Sequence, residues 1–248
     1  MIGLVVVSHS RALAEAAVAL AAGLLPDQGV PIRIAAGSHD DGFGTDAVAV
    51  AEAIAEADAG DGVLVLMDLG SAVLSAETAL DLLESPVEVE LSAAPLVEGL
   101  LSALAAAGGG ADLATTAREA EQALAAKRTQ LGESSEIAAR NDPHSSTAVQ
   151  AVDDSLATDT FEVTSEHGLH ARPAAELVSA LRAFDATVRL RNATTGVGPV
   201  PGNSLTRVLT LGVRAGQLLE VTASGPDAER AVAKVRALNE NRDHDQSR

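Results

Sequence analysis

A polar stretch at residues 128–157 divides the chain into two segments, and this division constrains the fold more than any other feature. The stretch is rich in Ser and Thr and shows no sustained hydrophobic periodicity. A segment of this composition cannot bury enough apolar surface to form a packed core. We therefore predict a flexible linker at 128–157 between two separately folded domains. Residues 241–248 are expected to be a frayed tail.

Residues 1–127 alternate short apolar runs with longer alanine-rich segments. The apolar runs predict strands at 2–7, 31–36, 62–67 and 87–92, and the alanine-rich segments predict helices at 11–24, 45–59, 72–84, 97–107 and 113–127. Strands that alternate with helices form βαβ units around a parallel sheet. The sequence therefore predicts an α/β domain over 1–127, with short strands buried on both faces.

Residues 158–240 have a different pattern. Polar and apolar residues alternate at 160–165, 187–192 and 218–223, which is typical of half-buried strands. A weaker strand is predicted at 196–200 because Pro199 disfavours pairing. Helices are predicted at 171–184, 204–211 and 227–239. The β-α-β-β-α-β order indicates an α+β open-faced sandwich, with helices on one face of an antiparallel sheet.

The charge of the chain is distributed unevenly. The net charge is −18 overall, but it is −15 over residues 1–127 and zero over residues 158–248. This asymmetry favours separate modules. Nucleic acids and anionic membranes repel so acidic a chain, and the absence of Trp and Tyr disfavours base-stacking platforms. We expect no nucleic-acid partner and no membrane partner, and we interpret the acidity first of all as a source of solubility.

The composition also limits the chemistry. The chain contains no cysteine, which excludes disulfides and thiolate metal sites. His39 with Asp40 and Asp41 is a weak metal pattern, and we interpret it, like His144 in the polar stretch, as solvated. Neither a metal nor a cofactor is expected. The first residues lack a basic segment, so they do not resemble a secretory signal, and we expect a cytoplasmic location.

His170 directly precedes a predicted helix, and Arg172 falls within its first turn. A helix start presents backbone N–H groups and a positive dipole end, which together hold a phosphate readily. Pro173 fits the first turn because its missing N–H is not needed there. An imidazole at this point can accept a phosphoryl group while Arg172 and the amides hold its oxygens. The alternative is a surface histidine that replaces an N-cap; His167 is interpreted as peripheral.

A second histidine, His9, follows the first predicted strand, and Asp68 follows the third. With a strand order of 2-1-3-4, the two side chains face each other where the strand order reverses. A carboxylate bonded to one imidazole nitrogen makes the other the nucleophile, and Ser71 at the next helix start can bind phosphoryl oxygens. Alternatively, His9 is a helix-entry residue capped by Ser8 or Ser10, and Asp68 is a loop carboxylate or an N-cap.

The second segment resembles a known family. Residues 168–174 read GLHARPA, which is similar to the active-site signature of HPr, the histidine phosphocarrier of the bacterial phosphotransferase system (PTS). The likeness extends over about 159–239. It implies that His170 carries phosphate and that Arg172 stabilises it. Ser204 stands where many HPr proteins have a regulatory serine, but Thr206 and Arg207 depart from the pattern, so we interpret Ser204 as a helix N-cap.

The first segment resembles the mannose-family enzyme IIA. More narrowly, it is similar to the first domain of the phosphoryl-donor subunit of phosphoenolpyruvate-dependent dihydroxyacetone kinase. The stretches that carry the likeness are VVSHS at 6–10, AAG at 35–37, GTDA at 44–47, MDLGSAVLSAETA at 67–79 and AAPLVEG at 93–99. The resemblance implies that His9 is phosphorylated and that this domain forms a homodimer.

Together the resemblances imply a phosphoryl relay from a separate enzyme I to His170, then to His9, and finally to ADP. The nucleotide is expected on a partner kinase subunit, which acts with a dihydroxyacetone-binding subunit. No Walker-type run occurs in the chain, in agreement with a nucleotide held elsewhere. Two alternatives remain: a sugar-transport component that feeds a IIB domain of a permease, and a non-enzymatic sensor of phosphorylation state.

Overall fold

The computed structural model describes residues 1–38, 42–131, 156–165 and 168–240, and it divides into two compact units. Met1–Leu124 and Ser204–Thr206 form the first unit, and the other residues after Leu124 form the second. Most of the predicted linker at 128–157, the whole tail at 241–248, and His39, Asp40, Asp41, His144 and His167 lie outside the described residues. The domain boundaries therefore stay predictions.

The first unit alternates strands and helices as the apolar runs predicted. Its elements are β1 (Gly3–Ser8), α1 (Arg11–Leu24), β2 (Ile32–Ala36), α2 (Ala47–Ala57), β3 (Val63–Met67), α3 (Gly70–Asp81), β4 (Val89–Ser92), α4 (Leu96–Gly108) and α5 (Leu113–Glu121). The helix predicted at 113–127 is divided: α5 is followed by a 3-10 turn (Gln122–Leu124) and by α6 (Ala125–Gln130). Alanine favours helix without marking where it ends, so this break left no signal in the sequence.

The four strands of the first unit form a parallel sheet, which confirms the predicted class, and their order is β2-β1-β3-β4. β1 and β3 are neighbours, and Val7 pairs with Met67 at the end of their shared register. The two strands therefore end at the same edge of the sheet. Residues that directly follow them are brought together there.

Both faces of this sheet are covered by helices. Every second side chain of β1 and β3 packs against α2 and α3; these side chains are Val5, Val7, Val63, Val65 and Met67. The helices α1, α4 and α5 also contact the sheet, and α4 packs against both α1 and α5. Burial of each Val or Leu side chain contributes about 1.5–3 kcal/mol. The buried positions of two of the helices are all alanine, which lets them lie close to the strands: Ala14, Ala17 and Ala21 in α1, and Ala72, Ala76 and Ala79 in α3.

The second unit contains an antiparallel sheet in the order β5-β8-β6-β7. Its elements are β5 (Ala157–Glu162), α7 (Ala171–Leu181), β6 (Thr187–Asn192), β7 (Val200–Pro201), α8 (Leu205–Thr210), β8 (Leu218–Ser224) and α9 (Ala228–Glu240). This confirms the predicted class. β5 begins three residues before the predicted 160, and in place of the strand predicted at 196–200 the structure has only β7, which shares residue 200 with the prediction. Prolines cannot donate to a ladder, so this strand is short and lies at the edge.

The helices α7 and α9 pack against each other, and α9 covers the sheet. β6 buries every second side chain, so Val188, Leu190 and Asn192 face inward. Asn192 is thus an amide at a position where the strand pattern predicts an apolar residue. Ser204 directly precedes α8, and its predicted capping role stays a prediction.

Candidate functional site

His9 and Asp68 are in contact at the carboxyl edge of the parallel sheet. His9 follows β1, and Asp68 follows β3. His9 Nδ1 lies 2.9 Å from Asp68 Oδ1, and the His9 backbone N–H donates to Asp68 Oδ2 at 2.8 Å. The predicted juxtaposition is therefore confirmed, and it arises directly from the register of two adjacent parallel strands.

The Asp68 carboxylate accepts hydrogen bonds through both oxygens. Besides the two from His9, it accepts from the Ser8 hydroxyl at 2.9 Å and from the Leu69 backbone N–H at 2.7 Å. Its side chain is only 7% exposed. Burial opposes the charge, but the hydrogen bonds from His9 and Ser8 outweigh it, so the pKa of Asp68 lies below its usual value. Asp68 is therefore an acceptor only, and it fixes the proton of the His9 ring on Nδ1.

The other ring nitrogen of His9 faces Ser71. The Ser71 hydroxyl lies 3.0 Å from His9 Nε2 and donates to it, since the ring proton is on Nδ1. Ser71 is the second residue of α3, which begins at Gly70 and whose Leu69 N-cap makes no side-chain capping bond. The first N–H groups of a helix have no partner within it. Nε2 thus combines a nucleophilic lone pair with nearby donors for phosphoryl oxygens.

The alternative roles predicted for these residues describe only part of their contacts. Ser10 is the N-cap of α1 and accepts from Leu13 N at 3.3 Å, so a serine caps the helix that His9 precedes, as the alternative for His9 expected. The N-cap of α3 is Leu69, so Asp68 is not the capping residue. The His9 ring and the Asp68 carboxylate are instead directed at each other. Sequence reasoning did not assign Ser8 its bond to Asp68; its position at a buried strand end beside a histidine was the available signal.

His170 occupies the N-cap position of α7, as predicted. Its backbone is extended, with φ −83° and ψ −175°, and its side chain makes no capping hydrogen bond. The side chain is exposed. Pro173 lies in the first turn and is buried. The imidazole is therefore accessible at a helix N-terminus, in keeping with the phosphate-binding interpretation and not with a capping one.

Arg172 lies in the first turn of α7, two residues after His170. Its guanidinium is exposed, and Nε lies 3.5 Å from Glu176 Oε1, one turn along the helix. An exposed pair of this kind contributes little stability, so the guanidinium can turn toward an anion at small cost. The role predicted for Arg172 remains a proposal.

Two other kinds of site are not found among the described residues. None of the groups of His, Asp and Glu within those residues is arranged to hold a metal ion. Among the helices of the same residues, none is both long and apolar enough to cross a membrane.

Known proteins match both units. A family model for the PTS system fructose IIA component matches residues 3–117, and one for the PTS HPr component phosphorylation site matches residues 157–241. A solved HPr from Thermoanaerobacter tengcongensis is 30% identical, covers 34% of this chain and 91% of its own, and has a TM-score of 0.32.

Longer likenesses occur among curated proteins. The phosphoryl donor subunit DhaM of PEP-dependent dihydroxyacetone kinase from Pantoea ananatis is 43% identical over 242 residues, which is 96% of this chain and 50% of that protein. Its counterpart from Escherichia coli K12 is 42% identical over 245 residues, with 97% and 50% covered. The chain thus spans about half the length of these relatives. Nearly the whole chain is similar to these phosphoryl donor subunits, and the segment that matches the IIA model precedes the segment that matches the HPr model.

Proposed function

We propose that this chain is a phosphoryl-donor subunit of phosphoenolpyruvate-dependent dihydroxyacetone kinase, and that it relays a phosphoryl group from His170 to His9. The observation that carries the proposal is the His9 ring, held between Asp68 on Nδ1 and Ser71 on Nε2. The names of the related proteins, which describe phosphoryl donor subunits, support the same conclusion.

At His9 the proposed nucleophile is Nε2. Its lone pair forms a bond to phosphorus as the bond between phosphorus and the donor histidine breaks, and that electron pair returns to the donor ring. The phosphorylated His9 ring keeps its proton on Nδ1, where Asp68 at 2.9 Å stabilises the positive charge. Ser71 and the first amides of α3 bind the transferred oxygens. Such a transfer depends on positioning and charge neutralisation.

At His170 the helix N-terminus and Arg172 are proposed to stabilise the phosphoryl group before transfer. The exposed ring can be reached by a separate phosphorylated enzyme I, which is the proposed source of the group. Arg172 would exchange its contact with Glu176 for a charge-assisted bond to phosphate. No metal or cofactor is required for either step.

Beyond His9, the proposed acceptor is ADP on a partner kinase subunit, and the ATP formed there phosphorylates dihydroxyacetone on a second partner subunit. The N–P bond of phosphohistidine breaks, and a new P–O bond forms on the terminal phosphate of ADP. The overall reaction is that of a phosphoenolpyruvate–glycerone phosphotransferase, and it would run in the cytoplasm, where phosphoenolpyruvate and ADP occur. The resemblance also supports a homodimer formed by the IIA-type domain.

The relay is tested by supplying the protein with enzyme I, phosphoenolpyruvate, ADP and the two kinase subunits. The wild type is expected to regenerate ATP. His9→Ala should still become phosphorylated on His170 but should form no ATP, whereas His170→Ala should stop phosphorylation of both histidines. ATP formation by His9→Ala would show that the order of transfer is wrong.

The same preparation separates the proposal from its two alternatives. A sugar-transport component would pass labelled phosphate to a IIB protein faster than to the ADP-loaded kinase subunits. A phosphorylation-state sensor would retain the label on His9 in the presence of either acceptor. Rapid transfer to ADP alone is the result that the proposal requires.

A further inference from the structure

The loop that carries His170 lies against a second loop, residues 211–217. The Leu169 N–H donates to the Val213 carbonyl at 2.8 Å. Gly168 has a φ of +70°, and a Cβ at this position would lie 2.3 Å from the same carbonyl oxygen. The two loops are therefore in backbone contact within two residues of His170, and only glycine fits at the contact.

The loop at 211–217 is also bonded through its main chain to Val163, which precedes the His170 loop. The Val163 N–H donates to Gln217 O at 2.9 Å, and the Gly216 N–H donates to Val163 O at 2.9 Å. The chain that leads to His170 is thus tied to the loop at 211–217 at two places, at Val163 and at Leu169. A displacement of 211–217 would be transmitted to His170.

Two side-chain amides hold the loop at 211–217 in shape. Asn192 Nδ2 donates to the Leu211 carbonyl at 3.1 Å and to Gln217 Oε1 at 3.0 Å. Gln217 Oε1 also accepts from the Arg214 backbone N–H at 2.9 Å. Both protons of the Asn192 amide are used, and a single oxygen of Gln217 joins the end of β6 to the middle of the loop.

Asn192 is fully buried, with 0% of its surface exposed. Its Oδ1 accepts from the backbone N–H groups of Thr194 and Thr195 at 3.1 and 3.2 Å. A buried amide is costly unless its groups are paired, and here every donor and acceptor direction is filled. An amide that is completely bonded in this way sets a single geometry for the segments that it joins.

We infer that Asn192 and Gln217 are positioning residues for His170, because they fix the loop at 211–217 against which the histidine loop rests. This inference depends on the proposed role of His170 as a phosphoryl carrier. Phosphoryl transfer is sensitive to the placement of the reacting atoms, and a misplacement of about 1 Å can slow a reaction about 100-fold. Neither side chain needs to touch the phosphoryl group to affect its transfer.

The decisive test compares two substitutions of Gln217, in a full-length His9→Ala background where phosphate stops on His170. Gln217→Glu keeps an oxygen that accepts both bonds, so it is expected to retain the wild-type rate of phosphorylation by enzyme I and phosphoenolpyruvate. Gln217→Met keeps the length but removes the acceptor, and it should slow phosphorylation about 10-fold or more. It should also shift the NMR signals and pH titration of the His170 ring.

Asn192→Asp gives an independent check, because it places an oxygen against the Leu211 carbonyl and Gln217 Oε1. It should slow phosphorylation at least as much as Gln217→Met. If Asn192→Asp does not fold, the comparison of Gln217→Glu with Gln217→Met is sufficient. Gln217 is only half-buried, so both of these variants are expected to fold. Asp227→Ala is the matched control: its Oδ2 accepts from Asp185 N at 3.1 Å, before the start of β6, so it should lower stability without changing the rate.

Equal rates for folded Gln217→Met and Gln217→Glu, with unchanged His170 signals, would overturn the inference. A loss of rate in Asp227→Ala as large as in Gln217→Met would do the same, since it would indicate a general effect of stability. If the parent protein itself is not phosphorylated on His170, the proposed function has failed, and that result is distinct from either of these.

Discussion

The two candidate histidines are supported in different ways. His9 is held by side chains, with Asp68 on one ring nitrogen and Ser71 on the other; Asp68 follows β3 at the sheet edge, and Ser71 lies in the first turn of the next helix, α3. His170 is exposed, and the support described for it reaches the residue through the backbone of Gly168 and Leu169. A sheet edge can therefore supply direct ring contacts, whereas a loop residue depends on a second loop beneath it.

This contrast predicts that the largest effect of a conservative change will be at Asp68. Asp68→Asn preserves size but replaces one acceptor oxygen by a donor, which favours the wrong tautomer of His9. The rate of transfer from His170 to His9 should fall about 10²–10⁴-fold, as for the comparable change in a catalytic triad. Rapid-quench measurement of the label on His9 tests this.

Asp46→Asn is the matched control for that experiment. Asp46 is also a carboxylate that accepts backbone bonds, from Val48 and Ala49 at the start of α2. It should lower stability slightly and leave the rate unchanged. Comparable rate losses in both variants would remove the distinction between direct ring support and ordinary capping.

The second-largest effect is expected at Arg172, in the other unit. Loss of a charge-assisted bond costs about 1.5–3 kcal/mol, so Arg172→Ala should slow phosphorylation of His170 about 10- to 100-fold. Its stability should barely change, because the pair with Glu176 is exposed. Arg230→Ala, which breaks an exposed pair with Asp227, is the control and should leave the rate intact.

A smaller effect is expected at Ser71. A neutral hydrogen bond contributes about 0.5–1.5 kcal/mol, so Ser71→Ala should reduce transfer to His9 about 3- to 10-fold. Ser75→Ala, one turn further along α3, removes a bond to Thr45 instead. The Ser75 variant should transfer phosphate at the wild-type rate; a loss at Ser75 equal to that at Ser71 would show that the helix, not the hydroxyl beside Nε2, is responsible.

The smallest effect is on the pH dependence of stability. The pKa of Asp68 is lowered in the folded protein, so its contribution is fully present above its unfolded value of about 3.9 and is lost as the pH falls through the lower folded value. The free energy of unfolding of wild type and Asp68→Asn should therefore converge in acid. Chemical denaturation at a series of pH values measures this.

The second unit provides a comparison for that measurement. Hydrogen bonds from Arg236 hold the pKa of Asp159 below its usual value, and this pair joins β5 to α9. The free energies of unfolding of wild type and Asp159→Asn should also converge in acid, as for Asp68→Asn. The rate of His170 phosphorylation should not change. An altered phosphorylation rate in Asp159→Asn would contradict the separation of stability from function in this unit.

Much of the His9 site was predictable because its causes are local in sequence. Continuous apolar runs predicted β1 and β3, and the end of each run placed His9 and Asp68 at one edge. The preference of parallel strands to lie between helices predicted that this sheet is covered on both faces. The bond from Ser8 to Asp68 was missed because a serine at a strand end has many possible partners, and only the folded geometry selects one.

The support beneath His170 could not be predicted in the same way. Asn192 and Gln217 are 25 positions apart, and their bond depends on the turn of the loop between them. The one available signal was Asn192 itself, a polar residue in the inward register of β6. The two-residue length of β7 was also missed, because edge pairing depends on neighbours more than on local pattern.

The buried alanines of α3 link the core to the candidate site at His9. Ala72 is fully buried and adjoins Ser71, so a small side chain lies between the first turn of the helix and the core. A bulkier side chain at position 72 would overpack the core and displace the first turn of α3, which would move the Ser71 hydroxyl away from the His9 imidazole. The distance between Ser71 and the His9 ring therefore depends on the size of the side chain packed under the helix, and a substitution in the core can change it without contacting either residue.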